Sequence, residues 1–366
     1  MQNKFNFKNF LRTVLAWLYY GTGLFALHLW WHRRVGRRVL VLTFHRVLPA
    51  DSPVLQKHLA LRSLIVTAEN FALLLSFLQK YFRFAARAAV MQSAQNGREK
   101  YCVVTFDDGY HDFLKYAWPI LQRHNLPVTM FLPTALIGTS HQFWWDQLYH
   151  ACMKMELAGA RAGFGKSSTL AEGLASEMFS EVAALLQRLA ATPAPERAPL
   201  IYRLVAFIQD WPETRVRALL QNLDLKIEQA RILAKENALM NWDEIKSLRQ
   251  AGVDFGSHAR HHLNLAAIAT AQMQEEVAAS RQELAAQLQE AVDSISFPGG
   301  HHSNEVLSAV AAAGYSHAFS TRKGLNRPGE EPYRLRRVNI WDEMLQDFRG
   351  RFSPAVFAFN LMRSKD

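Results

Sequence analysis

Two carboxylates stand side by side at the end of an apolar run in the stretch VVTFDDGYHD, residues 103–112. Adjacent residues of a strand point to opposite sides, so Asp107 and Asp108 cannot share one ligand in the same way unless the strand stops between them. Asp-Gly is also a common turn dipeptide, and Gly109 follows directly. The stretch therefore suits either a plain turn or a division of labour between two acids.

A second group of polar side chains follows a later strand-like run, in GSHARHHLNL, residues 256–265. His258 and His262 are four residues apart, and on a helical turn that spacing puts both imidazoles on one face. A solvated pair is the plain alternative. Because strand ends converge on one face of βα proteins, we expect the histidines to meet the aspartates. Two histidines and one carboxylate with an open fourth position form a catalytic zinc-type site.

Strand-like and helix-like segments alternate in two parts of the chain, residues 39–142 and 241–345. Runs such as RVLVLTFH, which ends at His45, are typical of buried parallel strands, and repeated βα units predict a parallel sheet, open or closed into a barrel. Between residues 143 and 240 the alternation stops, and segments with helical spacing predict a helical insertion. Residues 346–366 are expected to form a C-terminal tail.

The composition of the 366 residues favours a folded protein with an anionic partner. An apolar share of 49% is ample for a core, and a formal net charge of +10 points to nucleic acid, phospholipid head groups or a phosphorylated carrier. Because the sequence has no nucleic-acid motif, we expect no nucleic-acid binding. Cys102 and Cys152 are too few for a disulfide framework. The composition does not indicate which oligomeric state the protein has.

Residues 1–38 contain an uncharged apolar run with basic flanks. The nineteen residues from Thr13 to Trp31 carry no formal charge, a length that just reaches a bilayer span. The aromatic ends and the weak point at Gly21–Gly23 equally suit a helix in the membrane interface or one packed on the domain. No A-x-A-like cleavage site follows. Four arginines after Trp31, against two lysines and one arginine before Thr13, favour a membrane-associated protein on an anionic surface at the cytoplasmic face.

The motifs resemble those of the polysaccharide deacetylase (NodB-homology) family, metal-dependent enzymes that remove acetyl groups from N-acetylated sugars. The family's T-F-D-D-G is present at residues 105–109, and its H-S/T-x-x-H motif is similar to residues 258–262, with alanine at the hydroxyl position. The resemblance covers residues 39–340 apart from the insertion. It implies a distorted parallel (β/α) barrel and a glycan substrate, either a polysaccharide or a lipid-linked precursor.

The same resemblance implies roles for the four motif residues. Asp107 is expected to be the general base, and one divalent metal ion, with zinc as the expected ion, is held by Asp108, His258 and His262. Tyr110, directly after the first motif, is a candidate substrate contact.

The family's third motif, R-x-P-Y or similar, is altered here. The strand reads SFPGG, with Ser296 at the arginine position and Gly299 at the aromatic position. Backbone N–H groups of Gly299 and Gly300 remain candidates for binding substrate or an oxyanion, since this role needs no side chain. Arg337, ending a predicted strand, is the candidate to orient the base, and a solvated salt bridge is its alternative role.

The strand and histidine that the family places near the carboxyl terminus are missing, since no histidine follows Asn339. The run VLTFH, residues 41–45, has that form at the other end of the chain. This is similar to a circularly permuted branch of the family that is associated with exopolysaccharide modification. Chain termini are neighbours in a barrel, so moving one strand across the closure leaves the site intact. The resemblance makes His45 the general acid, and a histidine bonded to a backbone carbonyl is the alternative.

The expected reaction is removal of N-acetyl groups from a glycan that contains N-acetylhexosamine. Trp145 opens the insertion, where its ring can stack on a pyranose or anchor the insertion helices. His301 and His302 lie on a predicted loop at the active face. An O-acetyl esterase and a metal-free glycan-binding module are the alternative functions.

Overall fold

The computed structural model describes residues 7–36, 38–93, 99–155, 176–223, 235–327 and 330–363. Contacts divide the chain into two compact units. The first consists of Met1–Ala50, Ser63–Gly138 and Met240–Asp366, and the second of Asp51–Arg62 and Thr139–Leu239. The second unit contains most of the predicted insertion and also Asp51–Arg62, which the sequence reading assigned to the barrel. Two parts of the insertion, residues 156–175 and 224–234, lie outside the described residues.

The first unit is built on a parallel sheet. Its strands are β1 (Val39–Phe44), β4 (Arg83–Phe84), β5 (Tyr101–Asp107), β6 (Val128–Leu132), β7 (Asp254–Ser257), β8 (Ser294–Ser296), β9 (His317–Phe319) and β10 (Val338–Asn339). Their order is β10-β1-β5-β6-β7-β8-β9, with β4 beside β5. A separate parallel pair is formed by β2 (Arg46–Leu48) and β3 (Ile65–Thr67).

Helices connect these strands in the first unit. They are α1 (Phe7–Gly21), α2 (Leu24–Arg34), α4 (Ala68–Leu78), α5 (Arg87–Ser93), α6 (Trp118–Arg123), α11 (Trp242–Gln250), α12 (Thr270–Leu288), α13 (Asn304–Ala312), α14 (Asp342–Leu345) and α15 (Pro354–Met362). The second unit contains α3 (Pro53–Gln56), α7 (Trp144–Lys154), α8 (Ser176–Ala191), α9 (Ala198–Ile208) and α10 (Glu213–Asn222). Local signals set several helix starts: Asn241 and Glu244 form a capping box at α11.

Alternate side chains of the strands enter two apolar clusters. Leu40 and Leu42 of β1 belong to the large cluster that the sheet shares with its helices. Val41 lies in a smaller cluster with Val103 and Phe131, on the other face. Both faces are therefore buried, which explains why these strands read as continuous apolar runs rather than as an alternating pattern.

The segment of residues 335–339 joins the two ends of the sheet. Leu335 donates its backbone N–H to the carbonyl oxygen of Ala318, in β9, at 3.0 Å. Three residues further on, Val338 pairs with Leu42 of β1. The sheet is thus a distorted parallel barrel, which confirms the predicted fold class, and the first strand lies between the last strand and β5, as the permuted arrangement requires.

The two ends of the chain are more ordered than the sequence indicates. The uncharged N-terminal run forms not one helix but two, α1 and α2, bent by 66° at their junction. Residues 346–366 are not merely a tail, because they contain α15, in which Val356 and Phe357 are fully buried. Helix α1 packs on α15, and its Ala16 clusters with Val356.

Candidate active site and metal centre

The register of β1 and β5 brings residues from distant parts of the chain to one edge of the barrel. Thr43 pairs with Thr105, and their hydroxyl oxygens lie 3.3 Å apart. Side chains two residues further along a strand point the same way, so His45 and Asp107 follow on the same face at the carboxyl end. The proposed acid and the proposed base therefore start from neighbouring strand ends.

Asp107 is held in a complete set of polar contacts. Its side chain is 2% exposed, and its two oxygens accept hydrogen bonds from Nη1 and Nη2 of Arg337, each at 2.8 Å. Ser296 links the pair, because its Oγ accepts from Nη2 of Arg337 at 2.7 Å and lies 3.3 Å from Oδ2 of Asp107. Ser296, at the position where the family has arginine, thus contacts both Asp107 and Arg337.

These contacts set the charge of Asp107. Burial alone would raise the pKa of this carboxyl, but the Arg337 guanidinium, together with the rings of His258 and His45, outweighs burial and holds the pKa far below its ordinary range. Asp107 is therefore ionised at neutral pH. Arg337 is itself 1% exposed and also donates from Nε to the carbonyl oxygen of Ser320 at 3.1 Å, so its orientation is fixed.

Asp108 is turned away from its neighbour by a left-handed backbone, with φ of +74°. Its side chain is 1% exposed, and neither oxygen accepts a well-formed hydrogen bond from any described residue. Its Oδ1 lies 3.3 Å from Nε2 of His262 and 3.6 Å from Nε2 of His258. Among the described residues Asp108 is paired with imidazoles and with no lysine or arginine, and a buried anion is costly unless it is paired.

Gly109 explains why the strand stops between the two acids. It has φ of +76°, and a Cβ there would lie 2.9 Å from Cδ2 of Leu132 and 3.0 Å from Cδ1 of Ile137. Only glycine fits this turn without displacing those core side chains. Residues 107–109 thus form a turn, and within it Asp107 and Asp108 face different partners.

The two histidines meet as expected, but not on a helical turn. Residues 258–262 form a loop in which Ala259 and His262 have φ of +60° and +59°. The rings of His258 and His262 are 4.7 Å apart at an angle of 77°. The helical part of the prediction is wrong, because the left-handed residues bend the loop so that both rings still face Asp108.

His258 is prepared to act as a ligand. Its Nδ1 lies 2.7 Å from the carbonyl oxygen of Ser296, so Nδ1 carries the proton and Nε2 faces Asp108 with a free electron pair. Burial lowers the pKa of His258 to about 4, despite the opposing effect of Asp107. The ring is consequently neutral at neutral pH, the form that binds metal ions.

The loop is fixed by a buried carboxylate that the sequence reading missed. Glu276 of α12 accepts hydrogen bonds from the backbone N–H of Arg260 at 3.0 Å and of His261 at 2.8 Å. It also lies 2.6 Å from Nδ1 of His261. The middle histidine of the motif is therefore used to hold the loop rather than to face Asp108. The sequence offered no signal for this, because Glu276 is one of several acids on a long helix.

Asp108, His258 and His262 fit a divalent metal ion. Each offers one ligand atom, and these atoms lie within 4.8 Å of one another. One carboxylate oxygen and two imidazole nitrogens suit zinc and similar ions, and the carboxylate without hydrogen bonds supplies the negative charge. The predicted ligand set is thus brought together by the fold, although its role stays a prediction.

His45 and the residue that follows it differ in their contacts. Its Nδ1 is buried without a hydrogen-bond partner among the described residues. The next residue, Arg46, turns to the other side, where Nε lies 2.6 Å from Oδ2 of Asp112 and the guanidinium lies 4.3 Å from the ring centre of Tyr110. Tyr110 is 1% exposed beneath that guanidinium, so its substrate contact stays a prediction.

The glycine-rich loop is shaped by left-handed residues. Gly299 and Gly300 have φ of +62° and +80°. The N–H of Gly300 donates to the carbonyl oxygen of Phe297 at 2.8 Å, and a Cβ on Gly300 would collide with Thr321. The His302 ring stacks on Phe297 at 5.0 Å. The roles predicted for both glycines in binding substrate remain predictions.

Trp145 belongs to the second unit. Its ring is 8% exposed and stacks on Phe143 at 4.4 Å and 10°. The neighbouring Asp146 is fully buried and accepts a hydrogen bond from the N–H of Leu61 at 2.9 Å. These contacts suit an anchor for the unit, and stacking of Trp145 on a sugar stays a prediction.

Comparison with known proteins agrees with this geometry. The family model described as polysaccharide deacetylase matches residues 94–161 and 209–318. The chain belongs to the polysaccharide deacetylase family. The matched residues include the two aspartates and both histidines of the candidate centre, but neither His45 nor Arg337. Arg337 nevertheless contacts Asp107 in the structure.

Individual relatives are distant. YxkH of Bacillus subtilis, whose name describes it as a putative polysaccharide deacetylase, is 29% identical over 98 residues, which cover 27% of this chain and 35% of that protein. The aligned region thus spans about a third of that relative.

Two solved structures share the fold over most of their length. The deacetylase PplD of Streptococcus pyogenes, solved with acetate, is 16% identical with a TM-score of 0.51, and the match covers 86% of this chain and 96% of that one. IcaB from Ammonifex degensii is also 16% identical, with a TM-score of 0.53 and coverage of 89% and 98%. At this identity the likeness concerns the fold.

Proposed function

We propose that this protein is a metal-dependent hydrolase that removes N-acetyl groups from a glycan containing N-acetylhexosamine. The observation that carries the proposal is the contrast between two adjacent acids. Asp107 is paired with Arg337, whereas Asp108 is buried, makes no well-formed hydrogen bond to a described residue and faces two imidazoles. Family membership supports glycan deacetylation as the reaction class.

The metal is assigned to Asp108, His258 and His262. A divalent ion bound there supplies Lewis acidity for an acyl carbonyl and makes water a stronger acid. The His258 ring is held for this task by the carbonyl oxygen of Ser296, and the loop of both histidines is held by Glu276.

Asp107 acts as the general base that takes a proton from the attacking water. The two hydrogen bonds from Arg337 keep it ionised and fix the direction of its oxygens, so the base is available over the whole physiological pH range. Ser296 adds a third fixed contact near Oδ2. Arg337 therefore acts on the reaction by positioning Asp107.

His45 acts as the general acid that gives a proton to the departing nitrogen. An amine leaves poorly unless it is protonated, so an acid is needed on the leaving-group side. His45 follows β1, next to the strand that carries Asp107. Its Nδ1 is buried and makes no hydrogen bond to a described residue, so the ring has a polar atom available for proton transfer.

Acetate release from N-acetylglucosamine oligosaccharides tests the proposal. We expect release by the full chain to stop after chelation and to return with zinc, and we expect Asp108→Asn to be inactive in both states. Asp254→Asn, at the opposite end of the barrel, is the control that should remain active. A chelated protein that is still fully active would contradict the metal. Glycan binding without release from any N-acetylated substrate would favour a binding module.

The same assay separates amide from ester cleavage. His45→Ala should slow amide substrates by about 10²-fold or more, but activated acetyl esters much less, because their leaving groups need no proton. Equal losses on both substrates would give His45 a structural role. An O-acetyl glycan that is hydrolysed much faster than its N-acetyl counterpart would favour the esterase alternative.

A further inference from the structure

Large apolar side chains are exposed on the two N-terminal helices. Among the described residues, those with markedly exposed apolar side chains are Phe7, Leu11, Leu15, Trp17, Leu18, Leu24, Leu27, Trp30 and Trp31 on α1 and α2, together with Leu73 on α4. Their exposed fractions on the two helices lie between 46% and 66%. A monomeric soluble protein rarely presents such a concentration without a partner. We call the exposed side chains of α1 and α2 the docking face.

The docking face of α1 is opposite the face that α1 buries. Leu11, Leu15 and Leu18 are exposed and recur at helical spacing, whereas Thr13 and Ala16 are completely buried. A helix at the surface of a soluble protein buries one apolar stripe and presents polar residues on the other side. Helix α1 is instead apolar on both sides, so its outer side is suited to a second apolar environment.

Helix α2 repeats this arrangement. Phe25 and Leu29 are 1% exposed and belong to the main core, whereas Leu27, Trp30 and Trp31 point outward with about half of their surface exposed. Two tryptophans near the end of an apolar surface are typical of the boundary between hydrocarbon and head groups, because the indole has an apolar body and a polar N–H.

Both helices are firmly attached to the rest of the first unit. Nη2 of Arg12 donates to the carbonyl oxygen of Gln346 at 3.0 Å, and Oγ1 of Thr13 accepts from the N–H of Phe348 at 3.0 Å. Phe25 packs edge-on against Tyr81 at 5.3 Å. Among the described residues, no single helix is long and apolar enough to cross a membrane; only the bent pair passes by length and composition. The bend and the attachments favour a pair that lies on a surface.

The charges around the docking face identify the surface. Residues 1–38 contain seven lysines and arginines and no aspartate or glutamate. Lys8, Arg33 and Arg34 are exposed, and the Arg34 guanidinium lies 4.8 Å from the Trp30 ring centre. Self-association through this face would place two strongly positive segments against each other, which repel. Anionic lipid head groups instead complement the charge, while the acyl region accepts the apolar side chains.

We propose that the docking face inserts into the interfacial region of an anionic lipid bilayer, with α1 and α2 lying in its plane, and holds the first unit at the membrane surface. The protein is then a peripheral membrane protein that binds from one side and does not cross the bilayer. Its active site, at the carboxyl edge of the barrel, is carried by the same unit as the docking face.

Cosedimentation with vesicles tests the proposal independently of catalysis. The full chain is mixed with vesicles of phosphatidylcholine alone or of phosphatidylcholine with phosphatidylglycerol. We expect strong binding to the anionic vesicles and weaker binding to the neutral ones. Leu18→Gln, Leu27→Gln and Trp31→Gln combined should reduce binding by roughly two orders of magnitude, since three apolar side chains no longer leave water.

Matched variants separate the contributions. Leu73 is an exposed leucine that lies outside α1 and α2, so the Leu73→Gln variant should bind vesicles like the wild type. Lys8→Gln, Arg33→Gln and Arg34→Gln combined should abolish the preference for anionic vesicles. Unchanged thermal unfolding of all variants is expected, because only exposed side chains are altered. Equal losses in Leu73→Gln and in the triple apolar variant would overturn the assignment of the face.

Two further results would also overturn the proposal. One is the finding, by light scattering, that the wild type is a dimer and the triple apolar variant a monomer, when neither protein binds vesicles. The other is protection of a protease-sensitive tag placed before Met1, after binding to the outside of sealed vesicles, because this would show that the helices cross the bilayer. We expect a monomer that binds vesicles, with the tag cleaved as fast as in free protein.

Discussion

The two ends of the barrel treat buried charge differently. At the amino-terminal end, Arg87 contacts Asp254 at 3.1 Å and Asp293 at 2.7 Å, and the side chains of both acids are about one-third exposed. At the carboxyl-terminal end, Asp107 and Asp108 are almost fully buried, and among the described residues only Asp107 is paired with an arginine or lysine. At the first end the arginine is paired with two acids, whereas at the second end Asp108 has no arginine or lysine partner among the described residues.

This difference shows where the fold has been shaped for a ligand. At the amino-terminal end the charge of the buried Arg87 is compensated within the protein, because it is paired with two acids that remain partly in water. A buried carboxylate without hydrogen bonds is costly, and the left-handed backbone at Asp108 and His262 adds strain. Such costs concentrate at functional sites. We therefore assign a structural role to the amino-terminal end of the barrel and a catalytic role to its carboxyl-terminal end.

The largest expected effect is on turnover at the carboxyl end. Asp107→Asn should lower kcat by about 10²- to 10⁴-fold, because an amide cannot accept the proton of water. Zinc binding and the fold should remain, since Asp107 is not among the three proposed ligands. Steady-state rates of acetate release measure the effect. Asp254→Asn at the amino end is the control, and a similar loss of kcat there would remove the distinction between the two ends.

The next effect is the response of the metal-free protein to acid. The pKa of His258 is lowered by burial from 6.5 to about 4. The unfolded chain therefore binds more protons than the folded one between these values, and stability falls as the pH falls through that window. The loss at pH 4 should be about 3 kcal/mol from this group, at 1.36 kcal/mol for each pKa unit.

Urea unfolding at several pH values in the presence of chelator measures this loss. His258→Asn should reduce the dependence between pH 6.5 and pH 4 by about this amount, because asparagine does not titrate. An identical dependence in wild type and variant would contradict a buried, neutral His258.

A smaller effect distinguishes the ends by their response to zinc. Zinc at a hundredfold excess over its Kd should raise the free energy of unfolding by about 2.7 kcal/mol, because it binds only the folded chain. Asp108→Asn should lose this gain. Asp254→Asn should lower stability, because it weakens the pairing of the buried Arg87, but it should keep the gain. If zinc stabilised both variants equally, the metal would lie elsewhere.

Much of this arrangement could be predicted from the sequence. The apolar runs that end at His45 and at Asp107 predict buried parallel strands, and parallel strands bring their carboxyl ends together. The glycine after Asp108 and the spacing of His258 and His262 indicate the centre itself. The alternation of these elements predicted a parallel sheet, and the resemblance to the deacetylase family implied that the sheet closes into a distorted barrel.

The other features of the site depend on contacts between segments that are far apart in the sequence. The spacing of residues along the chain does not predict such contacts. The loop at His258 is left-handed rather than helical, because Glu276, far along the chain, satisfies its backbone N–H groups. Ser296 was recognised only as a missing arginine, although its hydroxyl contacts Asp107 and Arg337. The apolar N-terminal run and its weak point at Gly21–Gly23 were recognised, and the 66° bend falls there, but the attachment of α1 to α15 depends on contacts between distant segments.

Direct measurement of metal binding tests the central claim most closely. Chelated wild-type protein is titrated with zinc in a calorimeter, beside Asp108→Asn, His258→Ala and Asp107→Asn. The account predicts about one ion per chain for the wild type and for Asp107→Asn, and little or no binding for the two ligand variants. Stoichiometric binding by Asp108→Asn and His258→Ala, or no binding by the wild type, would contradict the metal centre.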